Sequence, residues 1–132
     1  MATVHHEVQL DVDPARAWEA LRDFGSAERL FPGVVTAARL EGRERVVTFA
    51  DGSTVREVLV TCDDEARRLV YAAVDSAVAT HHNAAFAVRE GAAGRAVVAW
   101  TTDVLPDALA EPVAARMRAG AAALRRALAA GA

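Results

Sequence analysis

The chain has 132 residues, 53% hydrophobic and 25% charged, a balance that excludes a disordered polymer and fits one domain burying roughly two-thirds of its unfolded surface. A net charge of −3 leaves no basic footprint for a phosphate backbone, so nucleic acid is not an expected partner. All 15 basic residues are arginine and isoleucine is absent, a bias that reads as a GC-rich bacterial genome and carries no mechanism. Cys62 is the single cysteine, so no intrachain disulfide is possible and nothing points to an oxidising compartment. The first ten residues hold two histidines and a glutamate where a secretory leader needs an apolar stretch, and no apolar run reaches bilayer length. The expectation is a soluble cytoplasmic protein with no membrane partner.

Residues 3–10 alternate, with Val4, Val8 and Leu10 available to a core, and predict an edge or half-buried strand. Asp13 can then cap a helix whose first turn accepts Pro14. That helix carries Ala17, Trp18, Leu21 and Phe24 at helical spacing and stops at Gly25. Ser26 opens a second short helix through Leu30, closed by Phe31-Pro32-Gly33. From Val34 the period becomes two, and strands are predicted over 34–40, 45–50, 54–62, 67–74, 80–90 and 95–104. Short turns separate them, and Asp51-Gly52 is the strongest hairpin signal because tight primed turns need positive φ. Connections this short can only join antiparallel strands. After Pro106 the helical period returns: Val113, Met117, Ala121, Leu124 and Leu128 form one apolar stripe, with Arg118 and Arg125 off it. Pro112 suits only a first turn, so the regular helix is expected from Glu111-Pro112, after a turn over 107–110.

The order is thus strand, two short helices, six strands, long helix: an α+β arrangement in which a seven-stranded antiparallel sheet needs its apolar face covered. The terminal helix offers the one long apolar stripe. A curved sheet gripping a single helix rarely fills its interior, and the unfilled part becomes a cavity.

This order resembles the helix-grip fold of the START-like, or SRPBCC, superfamily, which includes polyketide cyclase/dehydrase and lipid-binding proteins. The resemblance is carried by Val12-Asp13-Pro14 with Trp18, by Phe31-Pro32-Gly33-Val34, and by Gly52 with Val55-Arg56-Glu57-Val58. It continues through Asp63 or Asp64 with Arg68 and Tyr71, then His81-His82-Asn83-Ala84, and Trp100 ahead of Asp103-Val104-Leu105-Pro106. The resemblance implies one START-like domain over 1–132 that holds a small hydrophobic or aromatic molecule, lipid- or polyketide-like, between sheet and last helix. It names no activity, because the fold hosts carriers, receptors and enzymes alike.

Strand parity sorts the wall. On 80–90 the set His82, Ala84, Phe86 and Val88 is the better inward face, leaving His81 and Asn83 outward. On 95–104, Arg95 and Asp103 share the outward parity, so Val98, Trp100, Thr102 and Val104 face in. Arg56 and Glu57 are neighbours, so one of them points inward, and the hydrophobic balance leaves either possible; the resemblance favours Glu57. Tyr71 competes with Val70 and Ala72 in the same way. The expected ligand-binding wall is Trp100, Tyr71, Phe86, Ala84, Val98, Thr102, Met117, Ala121 and Leu124, with Phe31 either gating the mouth or making a plain turn.

His82 and Glu57 are the candidate catalytic residues, as an acid–base pair for proton transfer in a cyclase/dehydratase-like reaction. The same two side chains can equally satisfy each other or fix the polar end of a ligand. Adjacent histidines on a strand point to opposite faces, so neither His5-His6 nor His81-His82 chelates one ion, and no metal or cofactor is expected. Cys62 lacks a nearby base and reads as a small core or edge residue. The third possibility is an interaction module, monomer or homodimer, whose outer sheet face mediates dimerisation around a vestigial cavity.

Overall fold

The structure, a computed structural model, describes residues 2–129. Strands β1 (Ala2–Gln9), β2 (Val35–Glu41), β3 (Glu44–Phe49), β4 (Thr54–Asp63), β5 (Arg68–Asp75), β6 (His81–Glu90) and β7 (Ala96–Leu105) form one antiparallel sheet. Its order is β1-β7-β6-β5-β4-β3-β2, so β2 to β7 is a meander and β1 closes its far side by pairing with β7, Val8 opposite Val98. Helices α1 (Pro14–Leu21) and α2 (Ala27–Leu30) lie between β1 and β2, and α3 (Ala110–Ala127) ends the described chain. This is the curved, seven-stranded helix-grip arrangement expected from the sequence.

Local chemistry sets the turns. Gly52 takes φ +88°, while the Asp51 carboxylate accepts from the Ser53 N–H at 2.9 Å and its hydroxyl at 2.6 Å. Asp63 does the same between β4 and β5, accepting from the Glu65 and Ala66 N–H groups, both at 3.0 Å. Asp13 caps α1 by accepting from Arg16 N–H at 2.8 Å, with Pro14 in the first turn. That helix ends at Leu21 and not near Gly25, because Asp23 and Ser26 close a turn of their own, side chain to side chain at 2.8 Å. Phe24 is still buried, carried inward by the turn.

Helix α1 is pinned from outside. The Trp18 indole N–H donates to Asp64 at 2.9 Å and Arg22 Nε donates to the same oxygen at 2.8 Å, which gives the spacing Trp18 to Asp64 a structural purpose. Pro112 is the third residue of α3, where its missing N–H costs no helical bond. Met117, Ala121, Leu124 and Leu128 are buried as their spacing requires. Fully burying a leucine such as Leu69 or Leu124 contributes about 1.5–3 kcal/mol.

Three irregularities bend the sheet. Register shifts fall between Val35 and Ala37 on β2, and between Arg56 and Glu57 and again between Leu59 and Thr61 on β4. An extra residue in one strand increases twist and curvature. It also reverses the alternation, so Val55 and Leu59 pack inward and, beyond the shift, Cys62 does.

Candidate functional site

Between the concave face and α3 lies a cavity of about 290 Å³. Its apolar walls come from β3 and β4 (Val47, Phe49, Val55), β7 (Trp100, Val104) and α3 (Val113, Met117). Walls of this kind, with a few convergent polar groups, are what small-molecule sites share. Four polar or charged side chains besides Tyr71 and Thr102 reach it: Arg45, Glu57, His82 and Arg116.

Arg45 and Glu57 face each other across the β3–β4 pair. Both are 7% exposed, and Arg45 Nε donates to Glu57 Oε1 at 2.8 Å. The guanidinium also donates to the Phe24 carbonyl at 3.1 Å and lies over the Phe24 and Tyr71 rings, 4.0 and 4.8 Å from their centroids. A buried cation is thus matched by a carboxylate, a carbonyl and two ring faces, which is what burial of charge requires. Burial drives the Tyr71 hydroxyl pKa far above its ordinary range, reinforced by the Glu57 charge and opposed by Arg45. Tyr71 is therefore a neutral donor–acceptor.

Two buried polar atoms in the cavity wall make no hydrogen bond of standard geometry among the described residues: Trp100 Nε1, which acts on the Tyr71 hydroxyl only as a weak donor, and His82 Nδ1. Such atoms are rare and costly, at about 1–3 kcal/mol each, and each calls for a reason. Burial lowers the His82 pKa, with the Glu57 charge acting against that shift, so the imidazole is neutral at neutral pH. Trp100 stacks on Phe86 at 4.9 Å and on Phe31 at 5.7 Å. Its outer ring edge lies on α3 at Gly120, where a Cβ would stand 2.8 Å from Cη2.

The expected site residues divide in two. Trp100, Tyr71, Thr102, Phe31, Met117, His82 and Glu57 line the cavity. Phe86, Ala84, Val98, Ala121 and Leu124 do not; they lie in the packed core. Parity gives the face of a strand or helix but not how far along it the hollow extends, and here Phe86 lies beneath Trp100 at the filled end. Phe31 is buried against Phe86 and Trp100 and lines the cavity. His82 and Glu57 share the cavity, yet no hydrogen bond joins them among the described residues, because the carboxylate is held by Arg45. The sequence reading missed Arg45, Arg116, Phe49 and Gly120. Arg45, Val47 and Phe49 share one parity on β3, which was the available signal. No group of three or more metal-ligating side chains occurs among the described residues, and none of their helices is long and apolar enough to cross a membrane.

Comparison with known proteins follows the same lines. The family described as polyketide cyclase/dehydrase and lipid transport matches residues 1–130. No curated protein matches the chain. Among solved structures, XoxI from Bacillus cereus superposes with a TM-score of 0.88 at 22% identity, covering 97% of this chain and 96% of that one. A START superfamily protein from Mycobacterium smegmatis gives 0.80 at 11% identity, covering 96% of each chain. Norcoclaurine synthase from Thalictrum flavum, in complex with dopamine and hydroxybenzaldehyde, gives 0.74 at 19% identity, covering 95% of this chain and 84% of that one. These likenesses show a START-like fold; the family match over nearly the whole sequence adds the lineage, and the chain belongs to the polyketide cyclase/dehydrase and lipid transport family.

Proposed function

We propose that the protein binds a small hydrophobic, aromatic-bearing molecule in the cavity between sheet and α3. The observation that carries this reading is the pair of buried polar atoms without a hydrogen bond of standard geometry, Trp100 Nε1 and His82 Nδ1, in a mostly apolar wall. A cavity that existed only through loose packing would gain from apolar atoms at both places; polar atoms held without such a bond suit a guest that completes them. Family membership supports the class of guest, and the norcoclaurine synthase complex shows a related fold in the company of small aromatics.

Ala73, on the cavity wall from β5, is the position at which to fill the hollow; Ala84 is unsuitable because it lies in the core. A neutral probe, 2-acetylnaphthalene, is expected to raise the melting temperature by mass action. Ala73→Phe is expected to abolish that rise in a folded protein. Unchanged probe binding in the filled variant would remove the cavity as the binding place.

A second reading, cyclase/dehydratase-like catalysis, is favoured by one feature: a neutral His82 with Nδ1 unengaged. It would take a proton from the carbon beside a carbonyl and return it to a departing β-hydroxyl, so that water leaves and a conjugated double bond forms. Glu57, tied to Arg45, contributes charge there and not a base. Turnover of a β-hydroxy aryl ketone that His82→Ala loses while retaining probe binding would establish this reading; absence of turnover in the native protein leaves binding alone.

A further inference from the structure

We propose that the natural guest is a small aromatic carboxylate whose acid group pairs with Arg116 at the α3 side of the cavity. This rests on the binding reading above and adds the charge and size of the ligand.

The argument begins with the charged lining residues, Arg45, Glu57 and Arg116. Arg45 and Glu57 cancel in a buried pair at 2.8 Å. Arg116 is the remaining charged group of the wall, 48% exposed at the cavity's edge and, among the described residues, met only by the Asp51 carboxylate from outside the lining. The Arg116 guanidinium sits over the Phe49 ring at 3.8 Å. Its nearest carboxylate is Asp51, and the closest approach there is 3.9 Å, beyond hydrogen-bond reach. Asp51 meanwhile spends its other oxygen on Ser53. Arg116 thus donates no hydrogen bond among the described residues, although its fork of donors is built for a carboxylate. Its positive charge also contributes to lowering the His82 pKa, which places the two groups within one electrostatic neighbourhood.

The second observation is independent of the charge. Trp100 Nε1 is a donor and never an acceptor, it is buried, and it makes no hydrogen bond of standard geometry, only a weak donor contact toward the Tyr71 hydroxyl. Arg116 and Gly120 are one helical turn apart on α3, and Trp100 lies against Gly120. It is the far edge of the indole that meets Gly120, so Nε1 is turned to the Tyr71 side, and the two donors reach one cavity from different walls. Size completes the description. A hollow of about 290 Å³ lies at the small end of the range of small-molecule sites, about 300–1,000 Å³, which suits fused rings bearing an acid group better than a two-chain lipid.

The test compares 2-naphthoate with 2-acetylnaphthalene, a neutral probe of nearly the same shape, by calorimetry on the whole chain near pH 7.5. The native protein is expected to bind the carboxylate about tenfold more tightly, the scale of one charge-assisted hydrogen bond. In Arg116→Gln the ratio is expected to fall to about one, and in Arg116→Lys to recover in part. Equal affinities in the native protein, or a preference that survives Arg116→Gln, would overturn the proposal. Binding of the ketone alone would sink the carboxylate while leaving the cavity reading intact. Binding of neither would sink both.

Discussion

Arg45 and Glu57 hold two opposite charges in residues that are each 7% exposed, an arrangement with a large desolvation cost. Their mutual bond and the rings beneath Arg45 offset the desolvation, but neither charge tolerates the loss of its partner. Glu57→Leu strands a guanidinium among Phe24, Tyr71 and the Phe24 carbonyl, and is expected to cost about 3–5 kcal/mol in denaturant unfolding. Arg45→Met with Glu57→Leu removes both charges and should recover most of that loss. A double variant as unstable as the single one would show that the pair holds β3 to β4 by more than charge compensation. The same pair explains why Glu57 was half legible in the sequence. Parity required one of Arg56 and Glu57 to point inward, but what selects Glu57 is Arg45 opposite it on the neighbouring strand. Arg56, facing out, is satisfied by Glu41 and Glu44, both at 2.9 Å.

At the scale of elements, α3 carries a glycine where helix propensity argues for almost anything else. Gly costs about 1 kcal/mol relative to Ala inside a helix, yet Gly120 is the place where the Trp100 ring edge meets the helix backbone. Gly120→Ala gains that propensity and forces a Cβ to within 2.8 Å of Trp100 Cη2, an overlap that costs about 1–3 kcal/mol. The balance is a net cost of between zero and about 2 kcal/mol, and the ring moves toward the hollow. The expected result is a change in unfolding free energy within that range with a loss of 2-acetylnaphthalene affinity of about tenfold or more. A simple gain of stability with unchanged affinity would mean that the cavity wall does not depend on this contact. The elements themselves were readable because their signals agree: period two between turn residues, period 3.6 after Pro106, and carboxylate caps where the chain changes direction. The shifts on β4 were not readable. Nothing in Leu59-Val60-Thr61 marks an inserted residue, so Cys62 could not be assigned to a face by counting.

For the whole molecule, the hollow is the consequence of a sheet bent around one helix, and the sequence states the bending partners but not where packing stops. That is why Phe86, Ala84, Val98, Ala121 and Leu124 were expected in the wall and lie in the core, while Arg116 and Phe49 reach the cavity from the last helix and from the strand predicted over 45–50. The hollow also ties folding to pH through His82. Burial lowers its folded pKa, Glu57 opposes the shift, and His81 and Arg116 add to it. As pH falls through about 6.5, the ordinary imidazole value, the unfolded chain takes up a proton that the folded chain refuses. Stability therefore declines from that point down to the folded pKa and levels off for this group below it. His82→Asn removes the group, so the difference between native and variant stability should change with pH only below about 6.5. A neutral probe in the cavity excludes further water from His82 and should deepen the acid loss of affinity. A bound carboxylate favours the imidazolium and should reverse it, so the sign of the pH dependence of binding reports the charge of the guest. A native-minus-variant stability difference that is flat with pH would mean that His82 is solvated enough in the folded chain to titrate as it does unfolded, and the dry wall on which ligand binding depends would not exist.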